Sequence, residues 1–190
     1  MTEQELLLDC VRRLNRNKVC YMLTGSMASN AWGIPRTTHD LDFVIQLLPS
    51  QTGAFVNAFA GPDYFVDEQA IRAAFQAPFQ FNVIHIPSAL KADFWMLKSE
   101  KFEQMMFNRR IETTWLGERI WIATAEDVIL HKLYWNGITP SERQLSDAAG
   151  VLAVQAEKLD VAYLKQWADE LHVTAELEDL FAGRIRPKHT

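Results

Sequence analysis

Cysteine is scarce in this chain of 190 residues: only Cys10 and Cys20 are present. Two thiols build no disulfide framework and match no metal-ligand spacing, so they read as reduced cysteines of a cytoplasmic protein. Long apolar runs are missing too. No stretch approaches the roughly 18 residues that a membrane-spanning helix needs, so no membrane partner is implied. The N-terminal MTEQELLLDCVRRLNRN lacks the basic region and apolar block of a signal peptide and instead shows early acids and an amphipathic pattern. Basic charge is in deficit. Nineteen Lys and Arg face 24 Asp and Glu, and the net charge of −5 argues against broad nucleic-acid binding while leaving room for a local basic groove. Glycine-rich phosphate loops of the Walker or dinucleotide type are absent, as are internal repeats, low-complexity segments and any Ser-His-Asp arrangement. What remains is ordinary for a globular protein, with 48% apolar and 23% charged residues. This length supports one sizeable core, or a main domain with a helical annex.

Apolar spacing predicts an amphipathic helix over residues 4–16, through Leu7, Leu8, Val11 and Leu14. A short buried strand over 20–24 stops at Gly25-Ser26, which opens a helix of about 26–32 that ends near Gly33 and Pro35. Asp40–Leu47 reads as a strand, Pro49 to about Phe59 as a helix, and residues 68–76 as helical. Two strands follow, Phe79–Ile86 and Leu90–Leu97, then a helix over 99–109 and a hairpin over 111–122 turning at Gly117. Beyond it the pattern is helical. Capping boxes at Thr124–Asp127 and Ser141–Gln144 precede two helices, Asp160 caps a third through His172, and a last one covers about 174–182 before a short basic tail. The expected division is an α/β part, 1–122, and a helical part, 123–190, packed on it.

The chemistry-bearing feature is Asp40-Leu41-Asp42, placed after Gly25-Ser26. Side chains alternate along a strand, so the two carboxylates point one way while Leu41 and Phe43 point into the protein. Two like charges at the mouth of a sheet repel. A hard cation with oxygen ligands, above all Mg²⁺ holding nucleotide phosphates, relieves that repulsion. Turn capping and solubility are the plainer reading of the same residues. Asp93 lies in the apolar strand LKADFWML, where a charge is costly unless paired or metal-bound, and Lys91 on the same side is a candidate partner. His39, His85 and His131 share no ligand spacing, and Trp95, Trp121 and Trp167 read as core.

Taken in order, Gly25-Ser26, Arg36-Thr37-Thr38, Asp40-Leu41-Asp42, Lys91-Ala92-Asp93, Ala125–Ile129 with Lys132, and Ser141–Gln144 with Asp147 resemble the nucleotidyltransferase superfamily. The nearest likeness is to its AbiEii-like branch of small bacterial proteins, over roughly residues 20–172. That resemblance implies an α/β (α+β) fold, a nucleotidyltransferase-type mixed β-sheet flanked by helices, with a C-terminal helical bundle. It implies Mg²⁺ or Mn²⁺ held by Asp40, Asp42 and Asp93, with Asp93 also activating an incoming hydroxyl. It assigns Gly25, Ser26, Arg36, Lys132 and Asp147 to the nucleotide, an NTP. For Gly25 and Ser26 physics agrees, since a helix N-terminus favours an anion, and Arg36 could grip phosphate oxygens in a bidentate fork. A solvated loop arginine, a snorkelling Lys132 and an Asp147–Arg143 ion pair are the plainer alternatives.

The expected activity is transfer of a nucleotidyl group to an unknown hydroxyl acceptor (RNA, protein or small molecule), with a toxin–antitoxin pair and a protein partner from an adjacent gene as one setting for it. A rival keeps the fold without catalysis, as a nucleotide- or protein-binding module. A third uses the carboxylates in a nuclease or phosphatase.

Overall fold

Two rows of side chains set the register of the central sheet. In a computed structural model that describes residues 1–188, the elements run α1 (Glu3–Arg16), β1 (Cys20–Thr24), α2 (Gly25–Trp32), β2 (Leu41–Gln46), α3 (Thr52–Ala58), β3 (Tyr64–Val66), α4 (Glu68–Ala73), β4 (Gln80–His85), β5 (Leu90–Met96), α5 (Lys101–Arg109), β6 (Ile111–Trp115), β7 (Glu118–Ile122), α6 (Ala125–Ile138), α7 (Glu142–Gln155), α8 (Val161–Glu170) and α9 (Thr174–Phe181). The strands form one mixed sheet in the order β3-β4-β5-β2-β1-β7-β6. Strand β2 runs parallel to β5 and antiparallel to β1. This is the mixed α/β architecture expected, with helices flanking the sheet.

Across β1, β2, β5 and β4 the registered residues Leu23, Phe43, Phe94 and Phe81 share one face. Phe43 stacks on Phe94 at 5.2 Å between ring centroids, and Phe81 stacks on its other side at 5.4 Å. Phe55 of α3 meets Phe94 edge-on at 5.3 Å, and Phe59 lies 6.0 Å from it. An adjacent residue of each strand falls on the other face, giving Thr24, Asp42, Asp93 and Asn82 in one polar row. A slip of one residue would drive carboxylates into the aromatic core, which pins the pairing. Phe94 is fully buried. Phe94→Ala is therefore expected to cost about 3–5 kcal/mol, read from the midpoint of chemical denaturation.

By contact, the chain falls into two units, Met1–Thr24 with His39–Ile122, and Gly25–Thr38 with the chain from Ala123 onward. The segment Gly25–Thr38, assigned by its position to the α/β part, thus groups with the C-terminal helices. The physical reason is close backbone approach. A Cβ on Gly33 would meet the Val151 nitrogen at 2.7 Å, so α2 seats against α7 only because that position is glycine. Trp32 Nε1 donates to the Ala123 carbonyl and Gln155 Nε2 to the Trp32 carbonyl, each at 2.8 Å.

Other departures are local. The three-residue β3 was not foreseen, and the strand expected from Asp40 begins at Leu41. Ser141 makes no side-chain cap; its N–H donates to Asn136 Oδ1 at 2.9 Å. Thr124 does cap α6, accepting from the Asp127 N–H at 3.2 Å and donating to Asp127 Oδ2 at 2.8 Å. Among the described residues, no helix is long and apolar enough to cross a membrane.

Candidate active site

In the first unit the polar row is the candidate site. Asp42 and Asp93 stand side by side on parallel neighbours β2 and β5. Asp93 is buried, at 8% exposure, and both its oxygens accept hydrogen bonds. Lys91 Nζ donates to Oδ1 at 3.0 Å and to Oδ2 at 2.8 Å, and the Asn82 amide donates to Oδ1. Donating to Asp93 raises the pKa of the Lys91 ammonium, with the charges of Asp93, Asp40 and Asp42 adding to it. Trp95, two residues beyond Asp93, donates from Nε1 to Asp42 Oδ1 at 3.3 Å. Trp95 is half-buried rather than core, because its indole N–H seeks this carboxylate; Trp121 is half-buried as well.

Asp40 lies ahead of β2 and is exposed. Among the described residues no three His, Cys, Asp or Glu side chains group as a metal would require. The closed trio expected of Asp40, Asp42 and Asp93 is therefore not formed, since Asp93 is turned to Lys91 and Asn82. The donors still suit a hard cation. They are all oxygen, two are in register, and Mg²⁺ usually takes one or two carboxylates and completes its shell with substrate phosphates and water. The same row ends in Thr24, 3% exposed, whose Oγ1 is buried without a hydrogen-bond partner. Such an orphaned oxygen is uncommon in an interior.

In the second unit a compact ionic cluster gathers the other predicted residues. Gly25 has φ 61, a left-handed conformation that a Cβ would strain, and it turns the chain into α2. Arg36 does not extend toward solvent. Its Nε and Nη2 fork onto Asp147 Oδ1 and Oδ2 at 2.7 and 2.8 Å, and Nη2 also donates to Ser26 Oγ at 2.9 Å. The Arg36 backbone is clamped by Asn30, whose side chain accepts from its N–H and donates to its carbonyl. Lys132 Nζ reaches Asp147 Oδ2 at 2.8 Å and is buried, so it does not snorkel. Burial pushes the Asp147 carboxyl up, but the Arg36 hydrogen bonds and the Lys132 charge outweigh it and hold the group below its usual range. Two cations thus share one carboxylate. The bidentate grip expected of Arg36 on phosphate is made on Asp147, and Asp147 pairs with Arg36 and Lys132 rather than with Arg143.

The histidines are accounted for locally. His39 Nδ1 meets Glu3 at 2.5 Å, His85 Nδ1 meets Ser88 at 2.7 Å, and His131 accepts from the Trp135 indole at 2.8 Å. A cavity of about 340 Å³, lined by Lys18, Cys20, Gln46, Leu48, Gln51 and Phe55 among others, contains none of the predicted site residues. Sequence reasoning missed Asn82, Trp95 and Thr24; the cross-strand register is the signal that finds them.

No family model and no curated protein matches the sequence. Solved structures do. The solution structure of the antibiotic-resistance factor ANT(2'')-Ia superposes with a TM-score of 0.53 at 12% identity, covering 95% of this chain and 94% of that one. The crystal structure of ANT(2'')-Ia in complex with adenylyl-2''-tobramycin gives 0.57 at 12%, covering 90% and 99%. A nucleotidyltransferase-like protein from Paracoccidioides brasiliensis gives 0.52 at 13%, covering 98% and 94%. At such identities the likeness establishes the fold: the chain has the fold of these nucleotidyltransferases.

Proposed function

We propose that this protein transfers a nucleotidyl group from an NTP to a hydroxyl-bearing acceptor, in a reaction that depends on Mg²⁺ or Mn²⁺. The observation that carries the reading is the registered pair Asp42–Asp93, with Thr24 beside it, in a fold shared with ANT(2'')-Ia. The bound cation would supply charge neutralisation and in-line alignment of the triphosphate. Asp40 and Asp42 would hold it, with Asp93 as a further ligand. The acceptor hydroxyl oxygen bonds to the α-phosphorus, the bond to pyrophosphate breaks, and Asp93 takes the hydroxyl proton. In the second unit, the Gly25 turn and the Ser26 hydroxyl and N–H suit a phosphate group, with Arg36 and Lys132, joined through Asp147, as the neighbouring cations. The resemblance to the AbiEii-like branch points to a bacterial cytoplasmic protein, with a role in a toxin–antitoxin pair beside a partner from an adjacent gene and a metabolic role both open. The acceptor class stays open among RNA, protein and small molecules.

A second reading, a binding module without turnover, is favoured by the engagement of Asp93 by Lys91 and Asn82. The test is incubation with each labelled NTP and Mg²⁺ against total RNA, total protein and aminoglycosides, paired with calorimetry. Transfer of label with release of pyrophosphate is the expected result. Saturable Mg-NTP binding without pyrophosphate supports the binding module, and release of inorganic phosphate the hydrolase. No binding of any of the four nucleotides ends the nucleotide reading.

A further inference from the structure

We propose that Lys91 is a tethered counter-ion that competes with the divalent cation for Asp93, so that metal binding requires this side chain to be withdrawn. The inference rests on the metal-assisted reading above. Its geometry is independent of it. Lys91 and Asp93 are two residues apart on β5 and share a face, so the four-carbon stem folds back over one residue and sets Nζ within 3.0 Å of each Asp93 oxygen. That chelate places a compact positive charge on the carboxylate from which a dication would have to coordinate. Asn82 cannot do the same, since its amide is neutral and leaves the carboxylate charge in place.

The two ends of the pair differ in environment. The Lys91 side chain is 50% exposed, whereas that of Asp93 is 11% exposed. The carboxylate is thus fixed by its strand, while the ammonium has open water to swing into. A purely structural counter-ion would be expected to sit as deep as its partner, as Lys132 does beside Asp147, at 7% and 4%. Lys91 instead has the arrangement of a removable plug. Apparent metal affinity is then lowered by the fraction of molecules in which Asp93 is released.

Full-length wild type, Lys91→Met and Lys91→Arg are titrated with Mn²⁺ alone, followed by electron paramagnetic resonance and calorimetry, with Asp42→Ala as the reference for lost coordination. Methionine keeps the apolar stem without the charge. The expected result is Mn²⁺ binding roughly three- to tenfold tighter in Lys91→Met. Lys91→Arg, whose fork grips a carboxylate through two nitrogens, is expected to bind more weakly than wild type. Unchanged or weaker binding in Lys91→Met, with binding lost in Asp42→Ala, overturns the competition and leaves the metal site standing. Mn²⁺ binding by none of the proteins, with or without ATP, overturns the metal-assisted reading and this inference together. Circular dichroism melts show that the variants are folded.

Discussion

Asp42→Ala is expected to remove Mg-NTP turnover, by more than about a hundredfold, while the melting temperature stays within a few degrees of wild type. The size follows from position. Changes to residues that merely orient a metal ligand already cost about 10–100-fold, so losing a ligand exceeds that range. Stability is spared because Asp42 is half-buried on the polar face and stands directly opposite Asp93. Like charges opposite each other across two strands are destabilising, and deleting one relieves that repulsion. Asp42→Asn separates charge from shape, since it keeps an oxygen for the Trp95 indole. It is expected to lose activity as alanine does. Pyrophosphate release and calorimetry with Mg-NTP measure the first quantity, and differential scanning calorimetry the second. Turnover within tenfold of wild type in either variant would dismiss Asp42 as a metal-holding residue.

Asp147→Ala has the opposite profile, with its effect on stability. The substitution removes the carboxylate that Arg36 shares with a Lys132 that is 6% exposed. Removing one partner of a buried ion pair costs about 3–5 kcal/mol. In a protein of this size that corresponds to a fall of about 6–20 °C in melting temperature. Lys132→Met leaves the Arg36–Asp147 fork intact and is expected to be milder. The pH dependence has a definite sign. The folded-state pKa of Asp147 lies below its ordinary value, so its contribution is complete above about pH 4 and is lost as pH falls through the folded value. Wild type is therefore expected to lose melting temperature on acidification below about pH 4 more steeply than Asp147→Asn. Parallel curves for the two proteins would show that the cluster contributes nothing to stability.

The polar row was half-visible in the sequence because strand periodicity is local. Asp42 and the apolar Leu41 and Phe43 declare their faces within three consecutive residues, and so do Asp93 and its neighbours. Which residue stands beside which is a matter of register between strands far apart in sequence, so Asn82 and Thr24 went unnoticed. Trp95 read as core because it sits in an apolar strand, yet a half-buried indole has one polar atom to satisfy, and it found Asp42. Arg36 and Asp147 are 111 positions apart. The family resemblance suggested a nucleotide role for each, and no periodicity could pair them. The three-residue β3 is too short to show alternation at all.

The discontinuity of the second unit has a consequence for biosynthesis. A ribosome that has just added Ile122 has delivered every strand of the sheet, so the first unit can begin to form while translation continues. Helix α2 is made early, yet its partners α6 and α7 emerge about a hundred residues later, and Ser26 and Arg36 wait for Asp147 to leave the exit tunnel. A nascent or truncated chain ending near 122 therefore carries the carboxylate row without the basic cluster. Such a fragment would display Asp42 and Asp93 in register before Arg36, Lys132 and Asp147 can meet, an order of assembly that follows from the order of the chain alone.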